Sequence, residues 1–195
     1  RLTREYGFGR AGVGMMGSFV KRNLNGTAME HDLNSQAMSF GVDGWVWLDE
    51  DHTWGSSIAL GGTHVSGSEE RILALQENSS HNFQRPGLDY VEIDSNRTSL
   101  NGYYGRLVIS RQRGRLDFNY ETIVISPGFD SNDMGITGQT DRIFNRISSG
   151  WKWLEPGNIF RFSTLNASAW YLTNFGGTRL STFLGGFFHG QFFNY

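Results

Sequence analysis

The sequence predicts an all-β fold, an antiparallel up-and-down β-meander of about eight long strands that forms a transmembrane β-barrel or an arc of a larger one. Three observations lead to this prediction. Apolar and polar side chains alternate with the period of two that a strand requires. The alternating segments are longer than the roughly 5–6 residues of a usual soluble strand. Short and long connections alternate along the chain, as they do in outer-membrane barrels.

The predicted strands follow one another over the whole chain, which we interpret as a single domain spanning residues 1–195. They lie at residues 6–21, 37–48, 54–66, 98–112, 115–126, 142–154, 159–173 and 179–194. The alternation is weaker in the first strand and in the last two, where Gly and Ser stand on both faces. Between the third and fourth strands, the segment from Glu69 to Glu77 predicts a short amphipathic helix.

The strand at residues 115–126 shows the alternation most clearly, with an apolar face and a charged face. In a soluble sheet the apolar face meets a core, whereas in a membrane barrel it meets lipid and the charged face lines the lumen. We predict lipid contact for Leu116, Phe118, Tyr120, Val124, Phe40, Val42 and Val46. We predict a lumen lined by Arg115, Asp117, Glu121, Arg142, Arg146 and Lys152.

The connections between the strands differ in length in a regular way. The short ones contain turn-forming residues and lie at residues 49–53, 113–114 and 155–158. The longer ones lie at residues 22–36, 67–97, 127–141 and, more modestly, 174–178. In outer-membrane barrels the short turns are periplasmic and the long loops are external.

Five tryptophans stand close to the short connections. Trp45, Trp47 and Trp54 flank one of them, and Trp151 and Trp153 precede another. Indole rings gather at membrane–water boundaries, so we interpret this group as one rim of an aromatic girdle.

The composition excludes several classes of structure and function. Hydrophobic residues make up 38% of the 195-residue chain, and no run reaches the roughly 18 apolar residues of a membrane-spanning helix. Aromatic residues reach 14% and glycines number 26, which suits strands, turns and crowded barrel interiors. A formal net charge of −2 leaves no broad basic surface, so we expect no nucleic-acid partner. The absence of Cys excludes disulfides, zinc–thiolate sites and thiol nucleophiles.

Residues 126–141 form the most distinctive segment, with Ser-Pro-Gly-Phe followed by Asn-Asp-Met-Gly and then Thr-Asp-Arg at positions 140–142. This segment resembles a signature of an uncharacterised bacterial family of large outer-membrane proteins. Its members combine an N-terminal family-9-like carbohydrate-binding module with a C-terminal β-barrel domain of unknown function. The segments at residues 41–44 and 103–107 fit the resemblance as well, whereas Ile136 stands where the family has Phe.

The resemblance implies a location in the bacterial outer membrane, with outer-membrane lipid as a partner. It also implies that the chain is a fragment of a longer barrel, and that a saccharide would be bound through a module missing from it. The structural loop motif that it marks consists of Phe129, Asp130, Asn132, Asp133, Gly135 and Asp141.

The motif loop, as we call residues 126–141, has too many apolar side chains for a solvated link, because it contains Phe129, Met134 and Ile136. We therefore expect an ordered loop that shapes or plugs the barrel opening. Phe129 should pack against barrel residues. Asp130, Asp133 or Asp141 should accept hydrogen bonds from backbone N–H groups or from a nearby Arg such as Arg142.

The sequence gives little support for a metal site or for catalytic residues. The order of acids from Asp130 to Asp141 is partly that of a calcium loop, but Met134 occupies a ligand position and cannot bind the ion. Asp117 and Glu121 are roughly 13 Å apart on one strand, which is too wide for a glycosidase pair. The five histidines show no metal spacing. We expect no catalytic residues, no metal and no cofactor.

Two functions remain open at this point, beside a third hypothesis, a glycan-active enzyme, which would need two carboxylates at catalytic distance. The first is a non-enzymatic outer-membrane β-barrel that acts as a pore, a transport component or a membrane anchor linked to saccharide handling. The alternative is a soluble, secreted β-sandwich that binds carbohydrate with exposed Trp and Tyr side chains. The first requires detergent in solution, and the second does not.

Overall fold

The structure is a computed structural model that describes residues 1–194. Within these residues it contains nine β-strands and one α-helix. Their bounds are β1 Leu2–Tyr6, β2 Ala11–Lys21, β3 Gln36–Trp47, β4 Trp54–Ser66, α1 Glu69–Glu77, β5 Ser99–Arg111, β6 Leu116–Ile125, β7 Arg142–Trp153, β8 Phe160–Thr173 and β9 Arg179–Phe192.

All nine strands belong to one sheet, in the order of the sequence from β1 to β9. Every neighbouring pair is antiparallel. This confirms the predicted all-β, up-and-down meander. Over the described residues the sheet is open, with β1 at one edge and β9 at the other.

One strand boundary was predicted wrongly. The single strand expected at residues 6–21 is two strands, β1 and β2, so the sheet has nine strands instead of about eight. Gly7, Phe8 and Gly9 adopt positive φ angles of 59°, 53° and 84°, which turn the chain back on itself. The backbone N–H of Arg10 closes the turn by donating to the carbonyl of Tyr6 at 3.1 Å. The other predicted strands match observed ones closely.

The register divides the side chains between two faces of the sheet. The outer face includes Val13, Phe40, Leu60, Tyr120 and Ile147, which are among the exposed or half-buried apolar residues. The inner face includes the alternate positions and is rich in Gly, Ser and charged residues. Two tryptophans expected in a girdle, Trp45 and Trp47, lie on the inner face, because they alternate with the outer-face Val46.

The long connections gather at one end of the sheet, where they form a loop cap (residues 22–35, 67–98 and 126–141). The cap contains the predicted helix, α1, whose first turn is capped by Ser68: its Oγ accepts from the backbone N–H of Arg71 at 3.2 Å. No helix within residues 1–194 is long and apolar enough to span a membrane.

The buried hydrophobic core of the described residues lies between this cap and the inner face of the sheet. Inner-face residues of β3, β4 and β5 pack there against α1 and the loop that follows it. The cluster consists of Ala37, Val65, Ile72, Leu75, Phe83 and Leu100. The fold thus buries its apolar core under the loop cap, at one end of the sheet, and leaves the outer face uncovered.

Candidate functional site

The inner face contains a row of paired charges in its middle. Glu121 of β6 accepts hydrogen bonds from Arg106 of β5 at 2.8 Å, and Arg146 of β7 lies 3.3 Å from its other oxygen. The Lys152 ammonium group lies 2.7 Å from the Asp117 carboxylate. The register explains these pairs, since Glu121 stands directly opposite Arg146. Cross-strand opposite charges of this kind stabilise a sheet by roughly 0.2–1 kcal/mol each.

The structure brings most of the predicted lumen residues together. Asp117, Glu121, Arg146 and Lys152 alternate on the inner face of β6 and β7, and Arg142 begins β7 on the same face. Arg115 does not join them, because it lies in the turn between β5 and β6. There it pairs with Glu155 of the neighbouring turn at 2.5 Å, and both side chains are well exposed.

Sequence reasoning missed Arg106, which forms the closest contact with Glu121. A signal for it was present. Arg106 alternates with Leu107 in a strand where Leu107 faces outward beside Ile58. Consecutive residues of a strand point to opposite faces, so the charged residue next to an outward apolar residue lies on the inner face.

The motif loop lies flat against the inner face of β5. A Cβ atom on Gly102 would be 2.1 Å from both the N and Cα atoms of Phe129, so the two backbones touch. A Cβ on Gly128 would likewise be 2.3 Å from the Asn101 carbonyl oxygen. The Phe129 ring lies 6.1 Å from the ring of Tyr104 on the inner face. Only glycine at positions 102 and 128 permits this approach.

Three aspartates hold the motif loop in place, each with a different set of partners. Asp133 accepts from Arg22 and from the Asn34 amide, both in the first loop of the cap. Asp130 is anchored through its backbone N–H, which donates to Thr63 Oγ1 of β4 at 3.0 Å. Its carboxylate accepts from the backbone N–H of Asn132 at 2.8 Å.

Asp141 ends the motif loop and is buried, with a positive φ of 56°. Its carboxylate accepts hydrogen bonds from the Arg85 guanidinium, from the Tyr90 hydroxyl at 2.6 Å and from the Phe175 backbone N–H at 3.1 Å. Burial and the bond to Asp141 raise the pKa of Tyr90, which therefore keeps its proton for this bond. The arginine partners of the loop are Arg22 and Arg85, and not Arg142 as the sequence suggested.

The remaining motif residues shape the loop locally. The Asn132 side chain accepts from the backbone N–H of Thr137 at 2.8 Å, and the N–H of Gly135 donates to the Ser131 carbonyl at 2.7 Å. Within residues 1–194, no group of three or more His, Asp or Glu side chains gathers as a metal ligand set. Asp130, Asp133 and Asp141 each accept at least one hydrogen bond, from the loop itself, from the cap or from Phe175.

His81 joins the motif loop to the connection between β4 and β5, and its side chain is completely buried. One ring nitrogen lies 3.1 Å from the Asn78 side-chain oxygen and the other lies 3.2 Å from the Phe129 carbonyl. The Asp130 carboxylate is 3.9 Å away. Burial lowers the pKa of His81, while the charge of Asp130 opposes that shift and Arg71 adds to it.

We expect acidification to loosen the loop cap through His81. Because burial lowers the pKa of His81 in the closed cap, an opened cap binds a proton more readily below about pH 6.5. Stability contributed by neutral His81 is thus present above that pH and is lost as the pH falls towards the lowered value. Hydrogen-exchange protection of residues 78–83 and 126–141, corrected for intrinsic rates, should fall between about pH 7.5 and about pH 5.5.

The variant His81→Gln removes the titrating ring and should abolish this pH dependence. His189→Gln is the matched control, since His189 is an exposed residue of β9 far from the cap. A pH effect that persists in His81→Gln would show that another group governs the cap.

The outer face has the opposite character. Every strand contributes a large apolar side chain that is exposed. Examples, one for each strand from β1 to β9, are Leu2, Val13, Phe40, Leu60, Tyr103, Leu116, Ile147, Leu165 and Leu184. Large exposed apolar surfaces are rare on monomeric soluble proteins and mark contact with a partner or a membrane.

Comparison with known proteins identifies the family of the chain but finds no individual protein that matches it. No curated protein and no solved structure matches the chain. Residues 62–186, which include α1, the motif loop and the inner-face charges, match a family of uncharacterised proteins. The chain therefore belongs to the family described as "Domain of unknown function (DUF5916)".

Proposed function

We propose that this chain is part of a β-barrel of the bacterial outer membrane, without enzymatic activity, that acts as a pore, a transport component or a membrane anchor. The exposed apolar outer face is the observation that carries the proposal. A soluble one-sheet protein would have to cover this face, whereas a bilayer covers it without a second protein layer.

The strand lengths support the proposal. The eight strands from β2 to β9 contain between 10 and 14 residues. A tilted strand needs roughly 9–11 residues to cross a bilayer. Trp151 and Trp153 are exposed on the outer face at the short-turn end, where indole rings suit the headgroup region.

The two ends of the sheet also fit such a barrel. Short turns lie at one end, as on the periplasmic side of known barrels, and the loop cap lies at the other. Since the cap packs on the inner face, it would narrow the external mouth. A saccharide-binding module elsewhere in the full-length protein, which the family resemblance implies, would make the barrel its membrane anchor.

We expect the purified protein to be monodisperse in detergent micelles and to aggregate in buffer without detergent. The outer face would expose its apolar side chains to water in the second condition. Size-exclusion chromatography with light scattering checks this, and flotation with phospholipid vesicles checks membrane insertion. A monodisperse protein in detergent-free buffer that does not float would overturn the proposal in favour of a soluble carbohydrate-binding domain. Conductance across planar bilayers then distinguishes a pore from an anchor.

A further inference from the structure

A groove on the inner face, away from the loop cap, has the properties of a ligand site. It has a volume of about 320 Å³ and lies across β5, β6, β7 and β8 towards the short-turn end. Its inner-face lining is polar and consists of Ser110, Asp117, Asn119, Ser148, Gly150 and Asn166. The groove is separate from the motif loop, so the cap contacts do not account for it.

Two buried polar atoms on this part of the inner face lack a hydrogen-bond partner among residues 1–194. One is Asn119 Oδ1, which can only accept, and the other is Arg146 Nε, which can only donate. Asn119 belongs to the lining of the groove, and Arg146 is the next inner-face residue of β7 after the lining residue Ser148. Asn119 stands opposite Ser148, and Arg146 stands opposite Glu121, so the two residues are diagonal neighbours on one face. Their Cα atoms are therefore roughly 7–8 Å apart.

An unpaired acceptor beside an unpaired donor favours a ligand group that can both donate and accept hydrogen bonds. A hydroxyl donates one hydrogen bond and accepts two, so one hydroxyl can satisfy both atoms. Leaving such atoms unpaired is costly, and this cost is the driving force that a hydroxyl-bearing ligand would relieve.

The rest of the groove favours a neutral ligand with several hydroxyls. Ser110 and Ser148 offer hydroxyl groups and Asn166 offers a carboxamide, all of which can donate and accept. The one acidic side chain in the lining, Asp117, is already paired with Lys152. Arg111 also borders the groove, but it stands opposite Phe118 on the outer-face phase. A charged ligand would therefore meet no free charge of opposite sign on the inner-face part of the lining.

Two structural features open the groove to a ring-shaped ligand. A Cβ at Gly150 would be 2.1 Å from Asn166 Oδ1, so the glycine lets that carboxamide extend over β7. A neighbouring cavity shares Ser110 with the groove and reaches Trp45 and Trp47. Indole rings offer broad apolar faces on which the C–H side of a sugar ring can pack.

We propose that this groove binds a neutral saccharide, with one sugar hydroxyl between Asn119 Oδ1 and Arg146 Nε and a neighbouring sugar near Trp45 and Trp47. The position of the site inside a membrane pore rests on the proposed function, but the binding chemistry does not. The saccharide would bind to the lumen wall. This domain would then bind sugars directly and would not depend on a separate saccharide-binding module.

The test is a calorimetric titration of the purified protein with maltohexaose, cellohexaose and chitohexaose, in whichever medium keeps it monodisperse. We expect saturable binding of at least one of them and a change in tryptophan fluorescence. Asn119→Leu, which keeps the side-chain size, should weaken that binding by about tenfold or more. Asn145→Leu is the matched control on the outer face of β7, and its affinity should stay within about twofold of wild type.

Binding of none of the three saccharides would overturn the proposal. So would an affinity that Asn119→Leu leaves unchanged, or one that Asn119→Leu and Asn145→Leu weaken equally. If Asn119→Leu does not refold, Ser148→Ala replaces it, because that substitution removes a groove hydroxyl with little change in size. Detergent dependence and saccharide affinity are separate measurements, so failure of the membrane proposal and failure of the saccharide site give different results.

Discussion

Replacing Leu60 with Arg is expected to lower the free energy of unfolding of the bilayer-inserted protein by about 2–4 kcal/mol. Leu60 lies in the middle of β4 on the outer face, opposite Val42 and Gly105, and it is 49% exposed. In the proposed barrel, a guanidinium placed there would enter hydrocarbon in the middle of the bilayer. Denaturant unfolding in phospholipid vesicles, followed by tryptophan fluorescence, measures the loss.

Ala59→Arg is the matched control, because Ala59 is the adjoining residue and lies on the inner face. It stands opposite Asp43 of β3, so a new guanidinium would have a carboxylate beside it and no lipid. We expect a clearly smaller loss of stability than for Leu60→Arg. Equal losses in the two variants would mean that the outer face does not contact lipid.

Gly102→Ala is expected to displace the motif loop from the sheet. The added methyl group would lie 2.1 Å from backbone atoms of Phe129, and backbone cannot move aside as a flexible side chain can. The shift would break the bond from Asp130 N–H to Thr63 and the one between His81 and the Phe129 carbonyl. Two buried hydrogen bonds at about 1–3 kcal/mol each imply a loss of roughly 2–6 kcal/mol in cap stability.

Limited proteolysis shows this effect directly as new cleavage within residues 126–141. Gly105→Ala is the matched control on the same strand, because its Cβ would lie on the outer face at an ordinary 3.6 Å from Leu60. It should leave the cleavage pattern unchanged. If Gly102→Ala also leaves the motif loop resistant, the loop does not depend on its contact with β5.

The sequence allowed most of the sheet to be predicted, because alternation with a period of two is a local property. Residues 115–121 show it without interruption, and the register places Leu116, Phe118 and Tyr120 on one face as predicted. The first hairpin was missed for a local reason too. Alternation does not reveal a turn when Gly stands on both sides of Phe8, and three consecutive positive φ angles are not visible in a pattern of apolar residues.

The contacts of the cap could not be predicted in the same way, because their partners are far apart in the chain. A neighbouring Arg such as Arg142 was expected to bond with one of the loop aspartates, but the fold brings Arg85 to Asp141 from the preceding long loop. His81 showed no metal spacing and was set aside. Its burial against Phe129 depends on how two loops pack, which no periodicity encodes.

The cap also has a consequence for the order in which the protein folds. Each strand pairs only with its neighbours in the sequence, so the sheet can grow hairpin by hairpin with small losses of chain entropy. The cap contacts join residues much further apart, with 111 positions between Arg22 and Asp133 and 67 between Thr63 and Asp130. Closing such large loops is slow until the sheet holds their ends together. The loop cap should therefore form last, after the strands are in register. A chain with a misplaced strand would be left without a packed cap.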